Sequence, residues 1–446
     1  MTLEPEFKTL AEKITGRPRR GSIEIILTVE HEGLTRFANN VVSQHIEQQS
    51  RELSIRVLRN HRQGTASCNQ WDDAMLDQTV RRAEELAALQ PEDPMLLPLL
   101  GPQFFEPLPR LSRPLLALRP EQKVGAIRKV VSSYLKEDLS GAGIFSHGRH
   151  AVGLANSEGL WAFHEGTSST FSTTAIGENS SGWAEQSHWD IHKIQPPTVG
   201  RRAAEKALAS RHPKSIRSGA YTVILEPAAV AELMLFMAWN GFGALAYQEG
   251  RSFLSGKMGR RLIDERLTIL DDVTHPDSTG LPFDFEGTAR QRVVLIRNGL
   301  AEAVVYDRRT AEHDHRASTG HALPQPNTSG PLPMNLVMEP GDSTLAEMIS
   351  STNRGLLVTR FHYTNLLDPI PLSITGMTRD GTFWIQDGKI RHGVKNLRFT
   401  QSVVEAFNRI ESIGREAVLT HPFWGIGIVC PALKIRDFKF SSETMF

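Results

Sequence analysis

The stretch that decides the fold of this chain lies at residues 233–240, which read LMLFMAWN, and is followed at residues 250–256 by GRSFLSG. Apolar side chains recur at helical spacing, among them Met234, Met237 and Phe242. This pattern predicts a helix with a broad apolar surface, which is typical of a core or a subunit interface rather than of a cofactor site. The run is interrupted by Asn240 and glycines and is too short to span a bilayer, so we expect a buried helix.

Alternating strand patterns and helical stripes precede this helix. They predict an N-terminal α+β domain over residues 1–215, in which a curved antiparallel sheet carries helices on one side. The predicted strands lie at residues 22–29, 41–47, 52–58, 144–153, 160–167, 170–176 and 181–194, and the predicted helices lie near 76–87, 124–135 and 201–210.

The remaining residues, 216–446, predict a C-terminal domain of another kind. Short apolar runs alternate with turn residues such as Asn298-Gly299 and Asp387-Gly388. This density of turns favours a β-rich barrel or sandwich with few helices. The proline-rich residues 322–333 predict a rigid coil.

Charge and cysteine content narrow the class of protein. The chain has 446 residues with 50 Lys plus Arg and 50 Asp plus Glu, so nothing indicates binding to nucleic acid or to an anionic membrane. Cys68 and Cys430 are the only cysteines, which is consistent with a reducing compartment. The N-terminal residues lack the pattern of a signal peptide, and we expect a cytoplasmic protein.

Several short motifs follow one another in a recognisable order. They are GRSFLSG at 250–256, TILDD at 268–272, FDFEG at 283–287, IRNG at 296–299 and STG at 318–320. This series resembles the TldD/PmbA family, also called TldD/TldE. In the catalytic branch of that family the helix carries His-Glu-x-x-x-His, and counting back from Gly250 places those positions on Leu235, Phe236 and Asn240. None of these supplies the imidazoles or carboxylate of such a zinc site, so the chain resembles the TldE/PmbA branch that lacks the zinc motif.

The resemblance implies a function as well as a fold. It implies a non-catalytic subunit of a cytosolic TldD/TldE-type zinc metallopeptidase that acts on unfolded peptides or leader peptides. No cofactor is expected in this chain, and zinc is expected in the partner subunit. The partner would be a TldD-like catalytic subunit in a heterodimer, or a second copy in a homodimer.

Two groups of residues are candidates for the substrate groove. The resemblance places the loop around Thr319-Gly320 beside an interdomain groove, which makes His313, His315 and His321 candidate contacts. Arg379 and Asp380 lie on a predicted turn, where they would pair or bind a peptide carboxylate. In much of the family this segment reads Ser-x-x-x-x-Gly, so the chain departs from the family pattern there.

The best rival metal site is His188, Asp190 and His192. If residues 186–192 form a strand, these three side chains share one face. A polar solvent-exposed face produces the same alternation. This motif keeps a self-sufficient metallohydrolase open as an alternative, and a homodimeric peptide-binding protein is a further one.

Overall fold

A six-stranded antiparallel sheet organises the first half of the chain. The computed structural model describes residues 3–17, 21–422 and 426–444. The sheet has the order β3-β2-β1-β4-β5-β6 and is called the first sheet below. Its strands are β1 (Ser22–Ala38), β2 (Val41–Arg59), β3 (Arg62–Cys68), β4 (Ser140–Asn156), β5 (Trp161–Ile176) and β6 (Ser181–His188).

Helices cover one face of the first sheet. They are α1 (Glu4–Thr15), α2 (Asp73–Leu89), α3 (Arg113–Leu116), α4 (Pro120–Lys136) and α5 (Pro196–Ala209). Asp72 caps α2 by accepting a hydrogen bond from the backbone N–H of Met75 at 3.0 Å. Apolar side chains of α4 and α5 pack on Phe145 and Phe171 of the sheet, while α1 and α2 pack on its other end. On the opposite face, Val152, Leu154 and Ala162 of the sheet pack on Phe283 of the second half, so part of that face is covered as well.

The predicted strands differ from the observed ones in two ways. Residues 41–47 and 52–58 belong to the single strand β2, and the predicted strands 160–167 and 170–176 merge, apart from residue 160, into the single strand β5. The polar residues between the predicted pairs are tolerated because long antiparallel pairing continues through them. The strand expected at 181–194 ends at His188, because Asp190 caps a 3₁₀ turn at Ile191–Lys193.

Two further sheets form the second half. A second sheet has the order β10-β9-β8-β11-β18-β17, and five strands in the order β12-β7-β19-β15-β13 close into a barrel because β12 also pairs with β13. The strands are β7 (Gly219–Leu225), β8 (Ile269–Asp271), β9 (Val293–Arg297), β10 (Leu300–Ala301), β11 (Leu336–Met338), β12 (Arg354–Asp368), β13 (Ser373–Gln386), β14 (Lys389–Gly393), β15 (Leu397–Ser402), β16 (Ile410–Ile413), β17 (Val418–Thr420), β18 (Ile428–Cys430) and β19 (Leu433–Glu443). The α+β architecture and the β-rich second half predicted from the sequence are confirmed.

The central helix of the second half is α6, which connects the barrel to the second sheet. The helices of this half are α6 (Pro227–Asn240), α7 (Ala244–Gln248), α8 (Arg308–His313), α9 (Leu345–Ser350) and α10 (Val403–Phe407). Pro227 occupies the first turn of α6, where its missing N–H is not needed. Consecutive residues of this helix are buried from Ala229 to Ala238, so it is enclosed on all sides. Among the described residues, no helix is both long and apolar enough to cross a membrane.

Phe236→Asp tests the burial of α6. Phe236 belongs to the large core of the second half, where its ring contacts Trp239. Because the substitution leaves a void and buries a carboxylate without a partner, we expect the free energy of unfolding to fall by at least about 3 kcal/mol. Urea denaturation measures this change, with Leu89→Asp at the exposed end of α2 as the control. A Phe236→Asp variant as stable as Leu89→Asp would show that α6 is not part of the core.

Candidate functional site

A groove runs between the two halves of the molecule, where the end strands of two sheets approach each other. β6 is the last strand of the first sheet and β17 is the last strand of the second sheet, and residues of both line the groove. The start of α6 and part of β12 complete its walls. Its larger cavity has a volume of about 540 Å³. The side chains that carry its chemistry are Ser172, Trp183, Glu185, Glu232, Arg360, His362, Tyr363, Thr364 and His421.

Glu185 is the principal ionisable group on the first-sheet side of the groove. It lies opposite Ser172 in the pairing of β6 with β5. Burial raises the pKa of its carboxyl to about 7, although hydrogen bonds from the His421 N–H and the Ser187 hydroxyl and the charge of Arg360 act in the opposite direction. Glu185 therefore exchanges a proton near neutral pH, which makes this wall of the groove sensitive to pH.

Glu232 occupies the α6 side of the groove. The structure buries this carboxylate and gives it the hydroxyl of Thr364 as a hydrogen-bond donor. Residues 228, 232, 236 and 240 follow one another at intervals of four, so they share one face of α6. The first two of them line the groove, whereas Phe236, one turn later on the same face, is buried in the core.

The three positions that match the lost zinc motif have no capacity for metal. Leu235 and Phe236 are buried among apolar neighbours. Asn240 donates a hydrogen bond from its amide to the carbonyl of Phe236 at 3.1 Å. The thiol of Cys430 lies 3.3 Å from the carbonyl of Pro227, and burial raises the pKa of this thiol far above its usual range. A hydrocarbon, an aromatic ring, an occupied amide and a neutral thiol do not form the donor set that zinc requires.

The rival metal site is not assembled, because the strand on which it was predicted ends at His188. His188 is the last residue of β6, whereas Asp190 and His192 belong to the 3₁₀ turn. Both ring nitrogens of His188 are engaged, one with Asp277 at 3.1 Å and the other with the backbone N–H of Asp190 at 2.8 Å. Asp190 accepts from the N–H of His192 at 3.1 Å. Nowhere in the described ranges do three His, Cys, Asp or Glu side chains gather in a metal-binding group.

The predicted histidine contacts lie away from the groove. His313 is exposed at the end of α8 and pairs with Asp314 at 2.9 Å, and His315 is exposed on the following turn. His321 is completely buried between Asp271 at 3.0 Å and Thr319 at 2.9 Å. As far as the described residues define it, the groove is lined by none of the three histidines.

Arg379 and Asp380 line a neighbouring cavity of about 490 Å³, beside the turn between β5 and β6. Asp380 is buried, accepts from the hydroxyl of Ser181 at 2.9 Å and from Nε of Arg360 at 3.1 Å, and so connects the two halves of the molecule. Arg379 lies 3.6 Å from the same carboxylate and keeps 44% of its side chain exposed. Of the two, Arg379 is the residue available to a ligand, while the carboxylate of Asp380 is used in the contact between the two halves.

Sequence reasoning missed the groups that line the groove. Glu185 belongs to a period-two series with Trp183 and Ser187, which indicates that these three residues share a face of the sheet. Arg360 and His421 carry no comparable local signal, because only the closure of the barrel and the pairing of β17 bring them to Glu185.

Asp380→Ala and Arg379→Ala distinguish the carboxylate that connects the two halves of the molecule from the arginine that is available to a ligand. Removing Asp380 leaves Arg360 without its buried partner, so we expect the free energy of unfolding to fall by about 2 kcal/mol. Arg379→Ala is expected to change it by less than about 0.5 kcal/mol, since this guanidinium is largely solvated. Urea denaturation compares the two variants. An equal loss of unfolding free energy in the two variants would contradict the conclusion that Asp380 connects the two halves.

Glu185→Gln tests the ionisation of the groove. A carboxyl whose pKa is raised on folding binds its proton more tightly in the folded state, so the protein loses stability as the pH rises from the ordinary glutamate range to about 7. The glutamine variant lacks this loss, and we expect its stability to increase relative to wild type between about pH 5 and pH 7. Denaturation at a series of pH values measures the difference. Glu178→Gln, on the exposed turn before β6, is the control. If the difference in free energy of unfolding between Glu185→Gln and wild type does not change between about pH 5 and pH 7, the raised pKa of Glu185 is refuted.

Comparison with known proteins identifies the family. Models of the PmbA/TldA metallopeptidases match three consecutive parts of the chain: domain 1 at residues 23–87, the central domain at 113–211 and the C-terminal domain at 218–442. The metalloprotease PmbA of Escherichia coli O157:H7 is 22% identical over 97% of this chain and 96% of its own length. A metalloprotease of Methanothermobacter thermautotrophicus is 26% identical over 54% of either chain, so the match spans about half the length of that relative.

A solved structure shows the same fold. The crystal structure of TldE from Thermococcus kodakarensis covers 99% of this chain and is itself covered completely, with a TM-score of 0.88 at 20% identity. The family models together account for most of the sequence, including both halves of the fold and the helix α6. The chain belongs to the PmbA/TldD family of metallopeptidases.

Proposed function

We propose that this chain is a TldE/PmbA-like, non-catalytic subunit of a cytosolic TldD/TldE-type zinc metallopeptidase that acts on unfolded peptides or leader peptides. The observation that carries the proposal is the chemistry of α6, where Leu235, Phe236 and Asn240 replace the zinc motif. Leu235 and Phe236 pack in the core, and the Asn240 amide bonds to the backbone of the same helix. In place of metal ligands, this helix therefore carries side chains that stabilise its packing. The zinc and the water that attacks the peptide bond would belong to a TldD-like partner.

The role of this chain would be to hold the peptide. An extended peptide satisfies its backbone hydrogen bonds by lying along the edge of a sheet, and this mode of binding selects little by sequence. β6 is an end strand, and its residues from Trp183 to His188 line the groove. Ser172 of the neighbouring strand β5 also lines the groove and adds a hydroxyl to this wall.

The charges of the groove suit a peptide rather than a nucleic acid. Glu185 and Glu232 place two carboxyl groups in it. The guanidinium of Arg360 is engaged by Asp380 and stacks 4.7 Å from the ring centre of Trp183. Lys193, Arg202 and Lys206 line the other part of the groove, where Lys206 pairs with Glu226 at 2.6 Å. The groove therefore carries both signs of charge rather than a cationic track for phosphates, and a peptide backbone or an ammonium group finds acceptors in it.

A peptidase assay with the two proteins tests this proposal. The His-Glu-x-x-x-His homologue from the same genome is mixed with this chain, and cleavage of an unstructured peptide is followed. We expect the mixture to cleave at least roughly tenfold faster than the homologue alone, because this chain positions the substrate. This chain alone should cleave no faster than buffer.

Two controls give the result its meaning. A TldD-like homologue whose motif Glu is replaced by Gln should leave the mixture inactive, which assigns the chemistry to the partner. Equal rates with and without this chain would contradict the proposal and leave it an independent peptide-binding protein or a homodimer.

A further inference from the structure

The cavity of about 490 Å³ beside the groove lies at the start of β6. Its walls are the turn between β5 and β6, the irregular part of β13 and the residues after β14. It carries two cationic side chains, Arg379 and Lys395, and is called the basic cavity below. Ser181, the first residue of β6, lines the basic cavity, whereas Trp183 and the residues that follow it line the groove. The basic cavity therefore lies at one end of the strand along which a bound peptide would lie.

Two arginines are opposed at this point of the barrel. Arg360 of β12 and Arg379 of β13 are direct partners in the pairing of the two strands, an arrangement in which like charges repel each other. The carboxylate of Asp380 pairs with both of them, at 3.1 Å from Nε of Arg360 and 3.6 Å from Nε of Arg379. One carboxylate is thus shared by two guanidiniums. Positive charge remains on the more exposed guanidinium, that of Arg379.

Other groups of the basic cavity have unused hydrogen-bonding capacity. Lys395 is half-buried and forms no ion pair with a carboxylate of the described residues. The hydroxyls of Ser180 and Thr382, two residues that line the cavity, are buried and have no hydrogen-bond partner in the part of the chain that the structure describes. Buried hydroxyls are usually paired, so these two are donors available to a ligand. Cations and hydroxyls together are the groups that bind a carboxylate or a phosphate.

The charge of the basic cavity suits a ligand with a single negative charge. Arg379 and Lys395 line it, and Arg360 stands behind Asp380, which gives three positive charges. Asp380 and Glu178, the latter on the exposed turn before β6, supply two negative charges. One carboxylate balances the remaining charge, whereas the dianion of phosphate exceeds it.

A peptide has one such carboxylate at its C-terminal end. In the groove itself the carboxyl groups of Glu185 and Glu232 repel a carboxylate when they are ionised. Resting on the proposed function, we infer that the basic cavity binds the C-terminal carboxylate of the peptide, so that the peptide runs antiparallel to β6. From Ser181 to His188 the strand spans about 23 Å, and a peptide of about eight residues fills the groove from the basic cavity.

The affinities of two peptides test the inference. Both have the same unstructured sequence of about eight residues and an acetylated N-terminus, but one ends in a carboxylate and the other in a carboxamide. Fluorescence anisotropy measures their binding to the complex of this chain with a His-Glu-x-x-x-His homologue whose motif Glu is replaced by Gln to prevent cleavage. We expect the carboxylate peptide to bind at least roughly tenfold more tightly, because it gains charge-assisted hydrogen bonds.

A double variant assigns this difference to the basic cavity. Arg379→Gln combined with Lys395→Gln should abolish it by weakening the carboxylate peptide alone. The matched control is Lys389→Gln combined with Arg391→Gln, which removes the same charge from β14 of the same sheet, outside the basic cavity. The side chains of Arg379 and Arg391 are each 44% exposed, so the two variants lose similarly solvated arginines. Circular dichroism checks that both variants are folded.

Three results would overturn the inference. If wild type binds both peptides with equal affinity, the basic cavity does not bind the carboxylate, and the proposed function stands. If the difference persists in the double variant, the carboxylate binds elsewhere, and Lys193 and Arg202 at the opposite end of the groove become its contacts. If neither peptide binds wild type, the proposed function fails and the inference with it.

Inorganic phosphate distinguishes the other source of an anion. Thermal melting of this chain with and without phosphate, at equal ionic strength, measures its binding. If phosphate stabilises wild type but not the double variant, and both peptides bind wild type equally, the basic cavity holds a free anion and the inference is wrong.

Discussion

The burial of α6 on every side is the constraint on which the rest of the structure depends. This helix packs between the barrel and the second sheet, and residues 229–238 are all buried. A helix that carries two imidazoles, a carboxylate and a metal must keep one face open to water and substrate. Here the same face is filled by Phe236, and only its start, at Ala228 and Glu232, reaches the groove. Leu235 and Phe236 thus serve core packing, and the Asn240 amide is hydrogen-bonded to the helix backbone.

The groove exists because two sheets end there without partners. β6 and β17 are end strands that approach each other, and the barrel strand β12 forms the third wall. Unpaired strand edges are normally protected, since they invite further pairing. In this molecule the edges of β6 and β17 lie within a recess. Glu185 lies in the same recess, and Asp380 bonds Arg360 and Ser181 beside it. An extended peptide is the ligand that such edges recognise through its backbone.

Much of the fold could be predicted from the sequence because its signals are local. The period-two patterns of β1 and β4, the Asn298-Gly299 turn and the apolar run of α6 each specify their own element. The site could not be predicted in the same way. His188, Asp190 and His192 fit a strand by spacing, but the Asp190 side chain accepts from the N–H of His192 and ends the strand early. His321 reads as a loop residue, yet its ring pairs with Asp271, fifty residues away, inside the core. Such long-range pairing has no counterpart in sequence spacing.

The central claim is that α6 holds no metal and that the zinc of the functional assembly belongs to another chain. Elemental analysis tests it most directly, applied to this chain purified alone and to its complex with the His-Glu-x-x-x-His homologue after equal exposure to zinc and dialysis. The account predicts no retained zinc in the isolated chain and about one zinc per pair of subunits in the complex. One tightly held zinc in the isolated chain would contradict it.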